Sequence, residues 1–284
     1  IKMILFRKKS DLAIRRDDLK KNNFKIGLVP TMGALHEGHL SLVKRSMKEN
    51  DYTIVSIFIN PTQFNDKKDL ITYPKNLTKD CKYLDSVSRD IIVFAPEISE
   101  IYDENLSIKK FNFQGLDKFM EGKYRKGHFN GVATVVSHLL DIIKPNNAYF
   151  GEKDYQQLRI IQQLAIDNNF SANIIGCDTI REEDGLALSS RNSKITQPYR
   201  KFACKIFEAI NYARINFNSM NFDDIYNYVN NFFDNIDDIE LEYFTIAESE
   251  FLIPVNKKTI DKKYRAFIAV KLQGVRLIDN IALN

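Results

Sequence analysis

The chain has 284 residues, 44% hydrophobic and 27% charged, which suits a soluble globular protein with ample apolar surface for a core. Its 41 basic and 37 acidic residues leave a net charge of +4 and no basic patch or stripe, so a nucleic-acid partner is not expected, whereas a small-anion site is compatible. Cys81, Cys177 and Cys204 form no CxxC pair, and no apolar run approaches ~18 residues, so neither a disulfide framework, a zinc cluster nor a membrane span is expected. "IKMILFRKKS" lacks the apolar core of a signal peptide, and a reducing cytoplasm is the expected address.

In chain order, 24–30, 52–60, 90–96, 146–150 and 172–179 read as strands, several of them apolar almost throughout. That pattern marks strands buried on both faces of a parallel sheet. Helical spacing lies between them. Leu40, Val43 and Met47 repeat after the first strand, and Val132, Val135, Val136, Leu139, Leu140 and Ile143 share a face in 131–144. The alternation predicts an α/β fold, a Rossmann-like doubly wound parallel sheet domain with ligands beyond the strand C-termini. After about residue 190 the pattern changes. Residues 198–217 and 223–236 read as helices, and "IELEYFTIAE" and "RAFIAVKL" alternate as half-buried antiparallel strands do. We expect residues 1–183 to form the catalytic domain and 184–284 a smaller C-terminal α+β domain. All four histidines lie at 36, 39, 128 and 138, and no glycine occurs between Gly185 and Gly274, so the chemistry belongs mostly to the first 191 residues. His138 sits inside an apolar helical pattern and reads as structural.

Four stretches carry chemistry. "VPTMGALHEGHLSLV" (29–43) ends a strand, contains Gly33 and Gly38, and opens a helix, where free backbone N–H groups and the helix dipole favour an anion. His36 and His39 there suit phosphate oxygens better than a metal, because HExxH sites need a four-residue spacing within a formed helix. "NPTQF" (60–64) offers Asn60 and Gln63 as neutral hydrogen-bonding side chains at a strand end; alone it is an Asn-Pro turn. "FGEKD" (150–154) offers Gly151 for close backbone approach, Lys153 as a point charge and Asp154 as a hydrogen-bond acceptor, with Gln157 three residues further on; alone it is a surface turn. "DGLALSSRN" (184–192) presents Ser189, Ser190 and Arg191, hydroxyls and a guanidinium suited to phosphates.

TMGALHEGH resembles the HxGH signature of the nucleotidylyltransferase α/β superfamily. With VSIFINPTQF, YPKNLTKD, EGKYRKGHFNGVATVV, NAYFGEKDYQQL, DGLALSSRN and VRLIDN, in that order over nearly the whole chain, it resembles the pantothenate synthetase (pantoate–β-alanine ligase) family. The resemblance implies an AMP-forming ligase that condenses pantoate with β-alanine through a pantoyl adenylate, using ATP and Mg²⁺. It assigns catalysis to His36, His39, Lys153, Ser189, Ser190 and Arg191. ATP contacts fall to Met32, Gly33, Gly38, His39, Gly151, Glu152, Lys153, Asp154, Ile180, Leu188 and the Ser-Ser-Arg run. Substrate contacts fall to Thr31, Met32, Asn60, Gln63, Gln157, Arg125 and His128, and Asp80 is a candidate to position Mg²⁺. Relatives usually have proline where Lys126 stands, which leaves that loop less rigid. A homodimer is also implied, with no nucleic acid or membrane as partner. The competing readings are another HxGH nucleotidylyltransferase, which would need basic residues at the second site, and a non-catalytic ATP-binding sensor.

Overall fold

The computed structural model describes residues 4–102, 106–234, 236 and 238–284. The chain divides into two compact units: Ile1–Phe113, Arg125–Glu152 and Gln157–Asp178 form the first, and Gln114–Tyr124, Lys153–Gln156 and Thr179–Asn284 form the second. The second unit thus draws on two short upstream segments as well as the C-terminal third.

In the first unit β1 (Ile4–Phe6), β2 (Ile26–Thr31), β3 (Tyr52–Ile57), β4 (Ile92–Phe94), β5 (Asn147–Gly151) and β6 (Asn173–Cys177) form one sheet in the order β1-β4-β3-β2-β5-β6. Every pairing in it is parallel, with Ile26 opposite Tyr52 in β2/β3 and Asn147 opposite Asn173 in β5/β6. The chain runs from β2 through β3 to β4 on one side, then returns through β5 to the other flank of β2. The topological switch point, where open α/β sheets bind ligands, therefore lies between the C-terminal ends of β2 and β5.

The helices are α1 (Lys9–Lys21), α2 (Glu37–Glu49), α3 (Lys67–Ile71), α4 (Leu77–Asp85), α5 (Ile98–Ile101), α6 (Met120–Tyr124), α7 (His128–Ile143) and α8 (Tyr155–Asp167); α6 and the first two residues of α8 go with the second unit. Leu40, Leu42 and Val43 of α2 and Leu84 of α4 pack on Val29, Val55 and Val93 of the sheet. Leu28 and Ile54, which point the other way, are equally buried, and α7 packs on β2 and on α1. Cover on both faces explains why these strands carry apolar residues at consecutive positions. Gly131 lets α7 seat on the turn after β3: a Cβ there would stand 2.3 Å from the Thr62 carbonyl oxygen. His138 is half-buried, edge-on to the Tyr102 ring.

The second unit contains α9 (Gln197–Ala203), α10 (Lys205–Asn216), α11 (Phe222–Asp234) and an antiparallel sheet of β7 (Ile239–Glu248), β8 (Tyr264–Leu272) and β9 (Val275–Ala282) in the order β7-β8-β9. The helix expected over 198–217 is two helices that meet at Cys204, and the one expected over 223–236 ends at Asp234, residue 235 lying outside the described residues. β8 departs from the half-buried expectation. Ala266, Ile268 and Val270 pack with Ile206, Ile210 and Val229 of the helices. On the other face Arg265 stacks 3.9 Å from the Tyr155 ring and Phe267 lies 6.1 Å from it. Both faces are covered because a segment from far upstream lies on the sheet.

A second upstream segment is anchored by charge. Arg276 donates to both Glu121 carboxylate oxygens at 2.7 Å and to Glu242, and Tyr243 donates to Glu121 at 2.8 Å. Tyr124 stacks on Tyr243, and buried Gln156 binds the carbonyls of Leu116 and Phe119 and the amide of Glu121.

Candidate active site

The turn that leaves β2 is built from its own polar groups. Thr31 Oγ1 donates to the Ser56 carbonyl and accepts from the Gly33 amide. Gly33 has φ +79°, which favours glycine. Asp80, on α4 and almost fully buried, accepts from Ala34 N at 3.0 Å and Leu35 N at 2.8 Å. In the structure this carboxylate therefore shapes the turn. Among the described residues no group of three or more His, Cys, Asp or Glu is placed to hold a metal ion.

His36 is the N-cap of α2, just outside the helix, so the two histidines do not share a formed helical turn as HExxH ligands do. Their rings lie 4.0 Å apart at 40°. His39 Nδ1 accepts the His36 backbone amide at 3.3 Å, which in the neutral ring leaves the proton on Nε2 as a donor. Gly38 lies in the first turn, where free amides converge. An imidazole donor beside a helix N-terminus at a switch point is suited to a phosphate.

The turn after β3 is held from three sides. Asn60 is 1% exposed; its amide donates to Gln63 Oε1 and the Gly131 carbonyl, and its oxygen accepts from Thr62 and, at 2.6 Å, from Tyr102. Asn60 thus braces the turn, and Gln63 is the group it presents. Gln63 Nε2 reaches Met32 Sδ at 2.9 Å, joining this turn to the one after β2. His128, buried at the start of α7, donates from Nδ1 to the Gln63 carbonyl at 2.7 Å and pairs through Nε2 with Arg125 at 3.0 Å. Arg125 also reaches the Gln63 carbonyl at 3.4 Å. Lys126 stays tied to this region through its carbonyl, which accepts from Asn65 at 2.8 Å. Thr31, Met32, Asn60, Gln63, Arg125 and His128 are therefore brought into one web. Tyr102, whose phenol is pushed above its ordinary range by burial, belongs to that web and carries no motif that would reveal it.

A cleft of about 1160 Å³ opens beyond the ends of β2, β3 and β4, lined by Met32, Gly33 and Asp80 together with Arg7, Lys75 and Tyr102. Arg7 stands in no motif, and Lys75 lies within YPKNLTKD, where the sequence singles out only Asp80.

β5 delivers Gly151 and Glu152 to the other side of the switch point. A Cβ on Gly151 would meet nothing within 4 Å, so no protein contact demands glycine there. Gln157 lies half-buried on α8. Within the second unit, Lys153 is 19% exposed and its ammonium lies 3.6 Å from Asp154, which is 46% exposed. A hairpin places Leu188 N on the Ile180 carbonyl and leads to Ser189, whose Oγ accepts the Arg191 amide at 3.2 Å. Asn192 ties that turn to Glu182 and the Ala187 carbonyl, and Arg200 braces the hairpin through Glu182 and Asp184. Arg200 holds the Asp184 carboxyl below the usual aspartate range.

Known proteins resemble this chain over nearly its whole length. The pantoate–β-alanine ligase family model matches residues 4–282. A pantothenate synthetase of Christiangramia forsetii is 49% identical, over 99% of this chain and all of that protein, and one of Flavobacterium psychrophilum is 43% identical, again over 99% and 100%. A crystal structure of pantothenate synthetase from Thermus thermophilus is 34% identical with a TM-score of 0.89, covering 99% of both chains. A Francisella tularensis pantoate–β-alanine ligase complexed with β,γ ATP and β-alanine is 40% identical with a TM-score of 0.82, covering 99% of this chain and 98% of that one. The chain belongs to the pantoate–β-alanine ligase family and is an enzyme that joins pantoate to β-alanine.

Proposed function

We propose that the enzyme activates pantoate with ATP before the amide forms. A pantoate carboxylate oxygen attacks the α-phosphorus and pyrophosphate leaves. The β-alanine nitrogen then attacks the acyl carbon of the pantoyl adenylate, loses a proton and expels AMP. The ATP and β-alanine of the Francisella complex support this pair of co-substrates.

The residue roles follow the chemistry. Gln63 and Gln157 hold pantoate without a cation that would blunt its carboxylate. Met32 and Thr31 shape the floor, and Asn60 acts through Gln63. Arg125 meets the second substrate or the adenylate, with His128 fixing its direction. His39 Nε2–H, His36 and the α2 amides meet phosphate oxygens, and Gly33, Gly38, Gly151 and Glu152 let backbone approach the nucleotide. Lys153, Ser189, Ser190 and Arg191 take the charge on the departing pyrophosphate, Asp154 takes the ribose, and Ile180 and Leu188 line the nucleotide. Mg²⁺ would be held mainly through the triphosphate and water and would neutralise phosphate charge; Asp80 contributes by holding the turn that carries His36. Donors aimed at charge that develops only in the transition state contribute about 2.7–4 kcal/mol each, and holding the reactants in line contributes roughly 7–11 kcal/mol. Free Cys81, Cys177 and Cys204 support a reducing cytoplasm. A homodimer is the assembly that the family resemblance supports, to be checked by analytical ultracentrifugation.

One observation carries this reading: His36 and His39 stand at the first helix after β2, at the switch point, with the uncharged side chain of Gln63 presented from the turn after β3. Pantoate-dependent exchange of pyrophosphate into ATP tests it. Exchange that needs pantoate, followed by AMP release when β-alanine is added, is expected. Exchange without pantoate would indicate another nucleotidylyl transfer, and no exchange at all would leave only nucleotide binding.

A further inference from the structure

We propose that the adjacent pair Asp279 and Asn280 on β9 is a positioning element that sets the phosphate-binding groups of the second unit against one another. This rests on the reading of Lys153 and the Ser189–Arg191 turn as pyrophosphate ligands. Consecutive residues of a strand point to opposite faces, so one dipeptide can grip two segments. Asn280 lies opposite Phe267 in the sheet, on the face that carries Tyr155, and Asp279 lies opposite Ile268, on the helix side.

Both residues are 3% exposed. The Asn280 amide donates to the Lys153 carbonyl at 2.8 Å and accepts from Arg265, whose guanidinium stacks on Tyr155 two residues further along. The segment 153–155 is therefore fixed at its backbone and at its ring. The Asp279 carboxylate takes the Arg181 fork at 2.5 and 2.9 Å, and Arg181 in turn donates to the Gly185 carbonyl at 3.0 Å and lies over the Phe207 ring. Arg181 bridges to Ala187 in the hairpin that ends at Ser189. Asp279 Oδ1 also accepts the Asn280 backbone N–H, locking the two grips together. Neither side chain has a share in ligand chemistry of its own; what they hold is the separation between the Lys153 backbone and the Ser-Ser-Arg turn. A shift of about 1 Å in such a separation is enough to cost on the order of 100-fold in rate.

Asn280→Asp isolates this role. It keeps the shape and the acceptor for Arg265 and turns an oxygen toward the Lys153 carbonyl, where the native amide donates. We expect kcat for pantoate-dependent ATP–pyrophosphate exchange to fall at least ~30-fold while KM for pantoate stays within ~3-fold. In a Lys153→Ala background the same substitution should cost less than ~3-fold, because partners in one unit are not additive. A purely structural role predicts equal losses in both backgrounds, and that outcome overturns the inference, as does near-normal exchange in Asn280→Asp. If Asn280→Asp lacks the native circular dichroism spectrum, Asn280→Ala, which buries no new charge, is read by the same criteria. Normal exchange in Lys153→Ala alone would overturn the inference together with the site reading beneath it; a loss there with none in Asn280→Asp overturns the inference alone.

Discussion

The two units hold their share of the chemistry by different means. In the first, the candidate groups sit on turns at the ends of parallel strands and are fixed mostly by hydrogen bonds between neutral groups, Thr31 to Ser56, Asn60 to Gln63, Gln63 to Met32 and His39 to the His36 amide, with the Asp80 carboxylate and the Arg125 guanidinium as the charged members. In the second, ion pairs hold the elements around the candidate groups: Arg181 with Asp279 and Arg276 with Glu121 and Glu242, buried or half-buried, and Arg200 with Glu182 and the exposed Asp184. A large parallel sheet ends in ordered backbone that can carry a site unaided. A three-stranded sheet that recruits segments from residues 114–124 and 153–156 needs strong directional contacts to hold them. The contrast predicts that charge removal harms the second unit far more than the first.

The largest effect should come from Arg276→Ala, which leaves Glu121 and Glu242, 9% and 13% exposed, without their shared guanidinium. Breaking a buried pair from one side costs about 3–5 kcal/mol, to be read by chemical unfolding. A loss under about 1 kcal/mol would show that the pairs are dispensable and erase the contrast. Next, Lys153→Ala and His39→Ala should each cut pantoate-dependent exchange at least ~100-fold with unchanged melting; near-normal activity in both would refute the site assignment. Gly131→Ala sharpens the first-unit side, since the added methyl meets the Thr62 backbone at 2.3 Å. It should destabilise by about 1–3 kcal/mol and raise KM for pantoate by displacing Gln63, and an unaltered KM would detach Gln63 from pantoate.

Acid should reveal the Arg200 contacts. Asp184 is held below its ordinary range by hydrogen bonding to Arg200, so its contribution is present above the unfolded aspartate pKa and is lost as pH falls through the lower folded value. The melting difference between the native chain and Arg200→Gln should therefore exist at neutral pH and shrink below the usual aspartate range. A difference that grows on acidification would reverse the sign. Smallest of all, Arg89→Gln in the first unit, whose exposed pair with Asp85 is 3.8 Å apart, should shift stability by less than about 0.5 kcal/mol.

How much of this was legible beforehand differs along the chain. The buried strands showed themselves as apolar runs, and the helical face of 131–144 reappears as Val132, Val136, Leu140 and Ile143 of α7. β1 is three residues on the sheet edge and too short to leave a pattern. The break at Cys204 has no proline or glycine to announce it, and β8 alternates in sequence although both of its faces are covered. Among site residues, His36, His39 and Gln63 stand where their motifs suggested. Asn60 and Asp80 turned out to serve their neighbours, because which lone pairs and hydrogens are already engaged depends on partners such as Tyr102 and Ala34 that lie 42 and 46 residues away.

By itself the sequence determined what short-range physics controls: which runs are apolar enough to be buried and where glycine permits a turn. Tertiary structure alone decided the partnerships, since Asp279 with Arg181, Asn280 with Lys153 and Arg276 with Glu121 join positions 98, 127 and 155 residues apart. Hydrogen bonds and ion pairs act over a few ångströms, and only the folded chain sets which distant groups come within that range.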